Sequence, residues 1–101
     1  MKKRWKEIKN CVLGEKYDLS VVMASEAMMK KLNETYRKKE GPTDVLSFSL
    51  SPTMGEIFIN KKATQKDYLF IHSLLHLKGL EHGRKMDDKE KKLWRAISSQ
   101  E

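Results

Sequence analysis

The chain has 101 residues, 39% hydrophobic and 35% charged, with 21 Lys and Arg against 14 Asp and Glu for a formal net charge of +7. That length allows a single domain, residues 1–101, with a modest core, and the lone Cys11 excludes an internal disulfide and fits a reducing compartment. No run approaches the roughly 18 uninterrupted apolar residues of a membrane span, and the basic stretch Met1–Asn10 lacks the apolar core of a signal peptide, so the expectation is a cytoplasmic protein with no membrane partner.

Residues 3–12 fit a helix with Trp5, Ile8 and Val12 on its apolar side and Cys11 at the margin. Tyr17–Ala24 is short and rich in β-formers and reads as a strand. Ser25 then caps a helix whose apolar positions are Met28, Met29, Leu32 and Tyr36. Glu40-Gly41-Pro42 breaks it. Asp44–Leu50 reads as a strand with Val45, Leu46, Phe48 and Leu50 apolar, Ser51–Met54 as a turn, and Gly55–Asn60 as a strand through Ile57 and Ile59. Thr64-Gln65-Lys66-Asp67 has the form of a capping box with Asp in the Glu position, opening an apolar helix from about Asp67 to Lys78. A loop from Gly79 to Met86 follows, and Asp87-Asp88-Lys89-Glu90 opens a last helix bearing Leu93, Trp94 and Ile97. The predicted fold is α+β: a small mixed sheet packed with helices, with a central buried helix that carries two metal-ligand histidines.

Charge is unevenly placed. Residues 1–39 carry 11 basic and 5 acidic groups, residues 40–60 only Glu40, Asp44 and Glu56, and residues 61–101 carry 10 basic and 6 acidic groups. Basic flanks around an acidic centre suit a polyanionic partner and a central metal site.

All 3 histidines fall in one window, Ile71-His72-Ser73-Leu74-Leu75-His76-Leu77-Lys78-Gly79-Leu80-Glu81-His82. On a helix, His72 and His76 differ by about 40° in azimuth and about 6 Å in rise, so both imidazoles reach one ion from the same face. Continued as helix, His82 would lie about 15 Å beyond His72 and about 80° off its face. Gly79 resolves this, because a glycine can take the left-handed conformation that ends a helix and turns the chain back. Histidines in an apolar helix must be neutral and satisfied, or bound to metal. Three nitrogens with an open fourth position favour zinc, and a site of that kind is hydrolytic. No fourth protein donor stands at a convincing spacing, whether Glu81, Asp87, Asp88 or Cys11.

The same ligand spacing occurs in the metzincin metalloproteases. Those place a glutamate directly after the first histidine as general base. Here that position is Ser73, which cannot serve as the base at neutral pH, so peptidase chemistry loses its main catalytic group.

The segment His72–His82 resembles the H-G-x-L-H-L-x-G-Y-D-H signature of the YbeY-type endoribonucleases, the bacterial rRNA maturation factors. Leu32-Asn33-Glu34-Thr35-Tyr36-Arg37 resembles that family's L-N-x-x-Y-R, Thr43-Asp44-Val45-Leu46-Ser47-Phe48 its T-D-V-L-S-F, and Gly55-Glu56-Ile57 its G-[DE]-I. The four motifs occur in order and span about residues 19–97. Ser73 stands for the family glycine, Leu80 for tyrosine and Glu81 for aspartate.

The resemblance implies a small α+β domain with a central helix against a sheet, and one zinc ion held by His72, His76 and His82. It also implies Arg37 as the catalytic residue in the substrate cleft. The implied activity is cleavage of single-stranded RNA in rRNA 3′-end maturation and ribosome quality control, with ribosomal RNA or the ribosome as partner and no DNA. A guanidinium suits that role, being a planar match for the charge that builds on phosphate oxygens. Lys2, Lys3, Arg4, Lys30, Lys31, Lys38 and Lys39 are candidate phosphate contacts. Trp5, Tyr36 and Trp94 are candidate base-stacking rings, with core packing the better expectation for Tyr36 and Trp94. No obvious general base accompanies the ligands; Glu56, Asp44 and Glu81 are the candidates. Two other readings stay open: a non-catalytic ribosome-assembly or RNA-binding factor with a structural zinc, and a metallopeptidase.

Overall fold

In a computed structural model, residues 2–37, 41 and 43–79 are described. The loop after Gly79, His82 and the expected last helix lie outside them.

Helix α1, Lys3–Leu13, buries Trp5, Ile8, Lys9 and Val12, a stripe at helical spacing. Lys9 lays its stem along the core and brings its ammonium out to Asn10 Oδ1 at 3.2 Å and the Glu15 carbonyl at 3.1 Å. Cys11 is exposed.

Strand β1 is Asp18–Ala24, β2 Val45–Ser51 and β3 Met54–Asn60. They form a sheet in the order β1-β3-β2 among the described residues, with β1 parallel and β2 antiparallel to β3. The mixed sheet and α+β class match expectation. The turn is tighter than predicted, since Ser51 pairs with Met54 and leaves Pro52-Thr53 as the loop. Leu50 is the extra residue of a bulge at this end.

The period-2 alternation of β3 sorts the molecule into layers. Ile57 and Ile59 face α1 and the helix α3, Lys66–Leu77, and with Trp5, Phe70, Ile71, Leu74 and Leu75 they build the main core. Each such large apolar side chain contributes roughly 1.5–3 kcal/mol on full burial. Trp5 stacks on Phe70 at 4.3 Å, fastening α1 to α3. The other sheet face carries Leu46, Phe48 and Phe58 against Met29 and Leu32, which belong to helix α2, Glu26–Leu32. Ser25 caps α2 as predicted, its hydroxyl accepting from the Met28 N–H at 3.2 Å.

Three sequence expectations need correction. The capping box before α3 does not form: Gln65 is the N-cap with no side-chain cap bond, and Asp67 instead accepts from the Trp5 indole N–H at 2.6 Å. A charge-assisted bond to a buried indole outcompetes a cap in water. The helix predicted through Tyr36 becomes a π turn at Asn33–Arg37. Tyr36 stays on the Leu32 side, edge-on to Phe48, but at the rim of the sheet face, where it is 65% exposed, while Asn33 is buried. Finally, Met28 is exposed rather than core.

Candidate active site

Helix α3 is apolar over most of its circumference because it is pressed between α1 and the sheet, which bury Phe70, Ile71, Ser73, Leu74 and Leu75. The half-buried remainder of its circumference carries His72 and His76. Their Nε2 atoms are 3.0 Å apart and their rings cross at 76°. Tyr68, a further turn back, has its ring centroid 6.2 Å from that of His72, with planes at 28°. The i, i+4 spacing that pairs the histidines also predicts this contact.

A neutral imidazole has one N–H and one lone pair. Two Nε2 atoms this close either share a proton or aim both lone pairs at one cation. With Zn–N bonds of about 2.0–2.1 Å, nitrogens 3.0 Å apart subtend about 94° at the ion, and opening them by about 0.35 Å reaches the tetrahedral angle. A rotation of either ring within its rotamer well supplies that movement. The pair therefore fits a divalent cation of zinc's size.

In front of the histidines lies a cleft of about 440 Å³ lined by Thr43, Val45, Leu46, Ser47, His72, Ser73 and His76. The segment matched to T-D-V-L-S-F thus comes beside the histidines, with Ser47 on the α3 side of β2 and Phe48 on the other. Thr43 and Ser47 are the hydroxyl-bearing residues of β2 and its approach in this lining, and the Thr43 hydroxyl donates to the Val45 carbonyl at 3.4 Å. Ser73 is 1% exposed, so the position that would need a carboxylate for peptidase chemistry holds a small side chain packed inward.

Of the predicted site residues, the described structure brings together His72 and His76. His82 lies outside the described residues, and among those described no group of three or more His, Cys, Asp and Glu converges. Gly79 has φ +94°, and its N–H bonds the His76 carbonyl at 2.9 Å, so the chain does leave the helix axis there. Arg37 closes the π turn in its backbone; its side chain lies outside what is described. Glu56, a candidate base, points to the opposite sheet face, where it lines a groove with Phe48 and Phe58. Asp44 is exposed and does not line the cleft, and Glu81 lies outside the described residues. Of the stacking candidates, Trp5 is 2% exposed and committed to Phe70, Tyr36 is 65% exposed, and Trp94 lies outside the described residues.

The family model described as Endoribonuclease YbeY matches residues 2–98. The chain belongs to the YbeY endoribonuclease family. The match runs further toward the N-terminus than the motifs alone. YbeY relatives include the Endoribonuclease YbeY of Phytoplasma mali, 37% identical over 87 residues that cover 70% of this chain and 59% of that protein. That of Aquifex aeolicus is 30% identical over 109 residues, covering 88% and 72%. The chain thus spans three fifths to seven tenths of the length of these YbeY proteins. A solution structure of a Thermotoga maritima protein matches the fold with a TM-score of 0.59 at 23% identity, covering 98% of this chain and 87% of that one. Among the described residues no helix is long and apolar enough to cross a membrane.

Proposed function

We propose that this chain is a metal-dependent endoribonuclease that cuts single-stranded RNA, acting in ribosomal RNA 3′-end maturation and ribosome quality control in the cytoplasm. The observation that carries the reading is the His72–His76 pair, its Nε2 atoms 3.0 Å apart at a cleft walled by the Thr43–Ser47 segment, in a chain of the YbeY family.

His72 and His76 would hold a zinc ion together with His82, which the turn at Gly79 allows to return. Bound there, zinc would supply Lewis acidity toward a phosphoryl oxygen and lower the pKa of water. To ligate, both described imidazoles present Nε2 lone pairs and keep their protons on Nδ1. The Ser47 side chain, which lines the cleft, supplies a hydroxyl that orients a phosphate oxygen by donating to it. Arg37, carried over from the family motif, places a guanidinium against the charge that develops on the non-bridging oxygens. The open cleft favours a site that admits substrate over a closed structural one, and Ser73 disfavours peptidase chemistry.

The test is RNA cleavage by wild type, His76→Ala and Arg37→Ala purified side by side. The reading expects cleavage to vanish in His76→Ala. In Arg37→Ala, kcat falls by about 10²–10³-fold with the melting temperature unchanged. Equal cleavage by wild type and His76→Ala refutes it.

A further inference from the structure

Strand β2 separates two depressions. Its Val45 and Ser47 line the histidine cleft, and its Phe48 and Leu50 line a groove of about 180 Å³ on the opposite face, completed by Leu32, Tyr36, Glu56 and Phe58. Ser47 and Phe48 are one peptide apart, about 3.8 Å between Cα atoms. Among the described residues β2 is paired on one side only, by β3. A chain leaving the cleft therefore has only the width of an edge strand to cross before it meets the groove.

The groove is built to present a ring. Tyr36, 65% exposed, stands edge-on to Phe48 at 5.3 Å, and Phe48 in turn stands edge-on to Phe58 at 5.8 Å. These contacts fix the orientation of an aromatic ring that stays open to solvent, which is what a stacking platform needs. Among the described residues, the one charged side chain lining the groove is Glu56. A carboxylate only accepts hydrogen bonds. A wholly apolar peptide seated here would bury it unpaired, at a cost. A nucleobase with an exocyclic amine satisfies it, as cytosine's amine does for Glu in groove readout, while uracil offers a carbonyl at that place. Lys30 and Lys31, exposed on the α2 turn that leads into Leu32, supply cations for flanking phosphates.

We propose that this groove seats one unpaired, amine-bearing base of the same RNA strand whose phosphate lies in the histidine cleft, with Tyr36 stacking on the base and Glu56 accepting from its amine. The inference rests on the endoribonuclease reading. It makes the enzyme read a nucleotide neighbouring the cut from the far side of β2.

The test compares KM, kcat and Kd of the full-length protein for short single-stranded RNAs rich in cytosine or in uracil. Tyr36→Ala should raise KM and Kd about 5- to 150-fold, leaving kcat unchanged and the protein folded. Tyr36→Phe should behave as wild type, and Glu56→Gln should erase the preference for cytosine over uracil. Ring-proton shifts at Tyr36, Phe48 and Phe58 on adding the RNA locate the base. Wild-type affinity in Tyr36→Ala, with cleavage intact, overturns the groove and leaves the endoribonuclease reading standing. Ring shifts produced by an apolar peptide but not by RNA assign the groove to a protein partner and also overturn it. A wild-type protein that neither binds nor cleaves RNA overturns both.

Discussion

Gly55 sits in the central strand β3, at the point where β1's approach and the end of α3 meet. A Cβ there would collide with the Tyr17 hydroxyl and come within 3.0 and 3.2 Å of the two Leu77 methyls, inside the 3.5–4.0 Å at which carbon contacts are favourable. The Leu77 methyls can rotate aside. Tyr17 cannot easily do so, because it is itself buried. Overpacking of this kind costs about 1–3 kcal/mol, and the reduced freedom of the unfolded chain returns about 0.4–1 kcal/mol. Gly55→Ala should therefore lose about 1.3 kcal/mol at mid-range and up to about 2.6 kcal/mol, a fall in melting temperature of about 5–20 °C. The hydroxyl that makes the clash has no hydrogen-bond partner among the described residues, so Tyr17→Phe should itself be neutral or stabilising. In the Tyr17→Phe background the loss from Gly55→Ala should shrink by half or more. Urea denaturation followed by far-UV circular dichroism on the four proteins closes the cycle. Gly55→Ala at or above wild-type stability, or an equal loss in both backgrounds, would refute the packing argument.

Burial also raises the Tyr17 pKa above its ordinary 10.0. The folded state then holds this proton where the unfolded chain has lost it, so the contribution is complete below pH 10 and declines as pH rises toward the folded-state value. A denaturation series above pH 10 should show a steeper loss for wild type than for Tyr17→Phe; parallel curves would contradict this. Asp67→Ala leaves the Trp5 indole N–H buried without its acceptor and should cost about 1–3 kcal/mol, with Asp67→Asn recovering most of it; no loss in urea would contradict the assignment. Gly79→Ala forces a side chain into φ +94° and should cost about 1–2 kcal/mol, together with weakened metal binding if the turn returns His82 to the site. Unchanged melting temperature and metal affinity would remove Gly79 from the account.

Strands β2 and β3 and the bounds of α3 were legible to within a residue or two, because alternation and an apolar run translate directly into buried faces. The histidine pair was legible for the same reason: an i, i+4 spacing fixes a shared face whatever the helix packs against. What escaped the sequence depended on partners distant along the chain. Asp67 looked like a cap because the indole that claims it lies 62 residues earlier. Tyr36 looked like a core residue because it follows Met29 and Leu32 at helical spacing, and only the sheet it meets shows that it reaches Phe48 at the rim and stays 65% exposed. Trp5 carries no local mark of its stack on Phe70. The face of Glu56 was in principle readable, since it alternates with the core residues Ile57 and Ile59, and that alternation alone removes it from the histidine side.

The central claim is that His72 and His76, with His82, hold a metal ion in a cleft open to substrate. Metal content of the native protein by plasma mass spectrometry, set against His72→Ala, His76→Ala and His82→Ala prepared identically, tests it most directly. One zinc per chain is expected in wild type, lost or strongly reduced in each variant with the fold retained. A wild-type protein that takes up no metal, or variants that keep it in full, would contradict it.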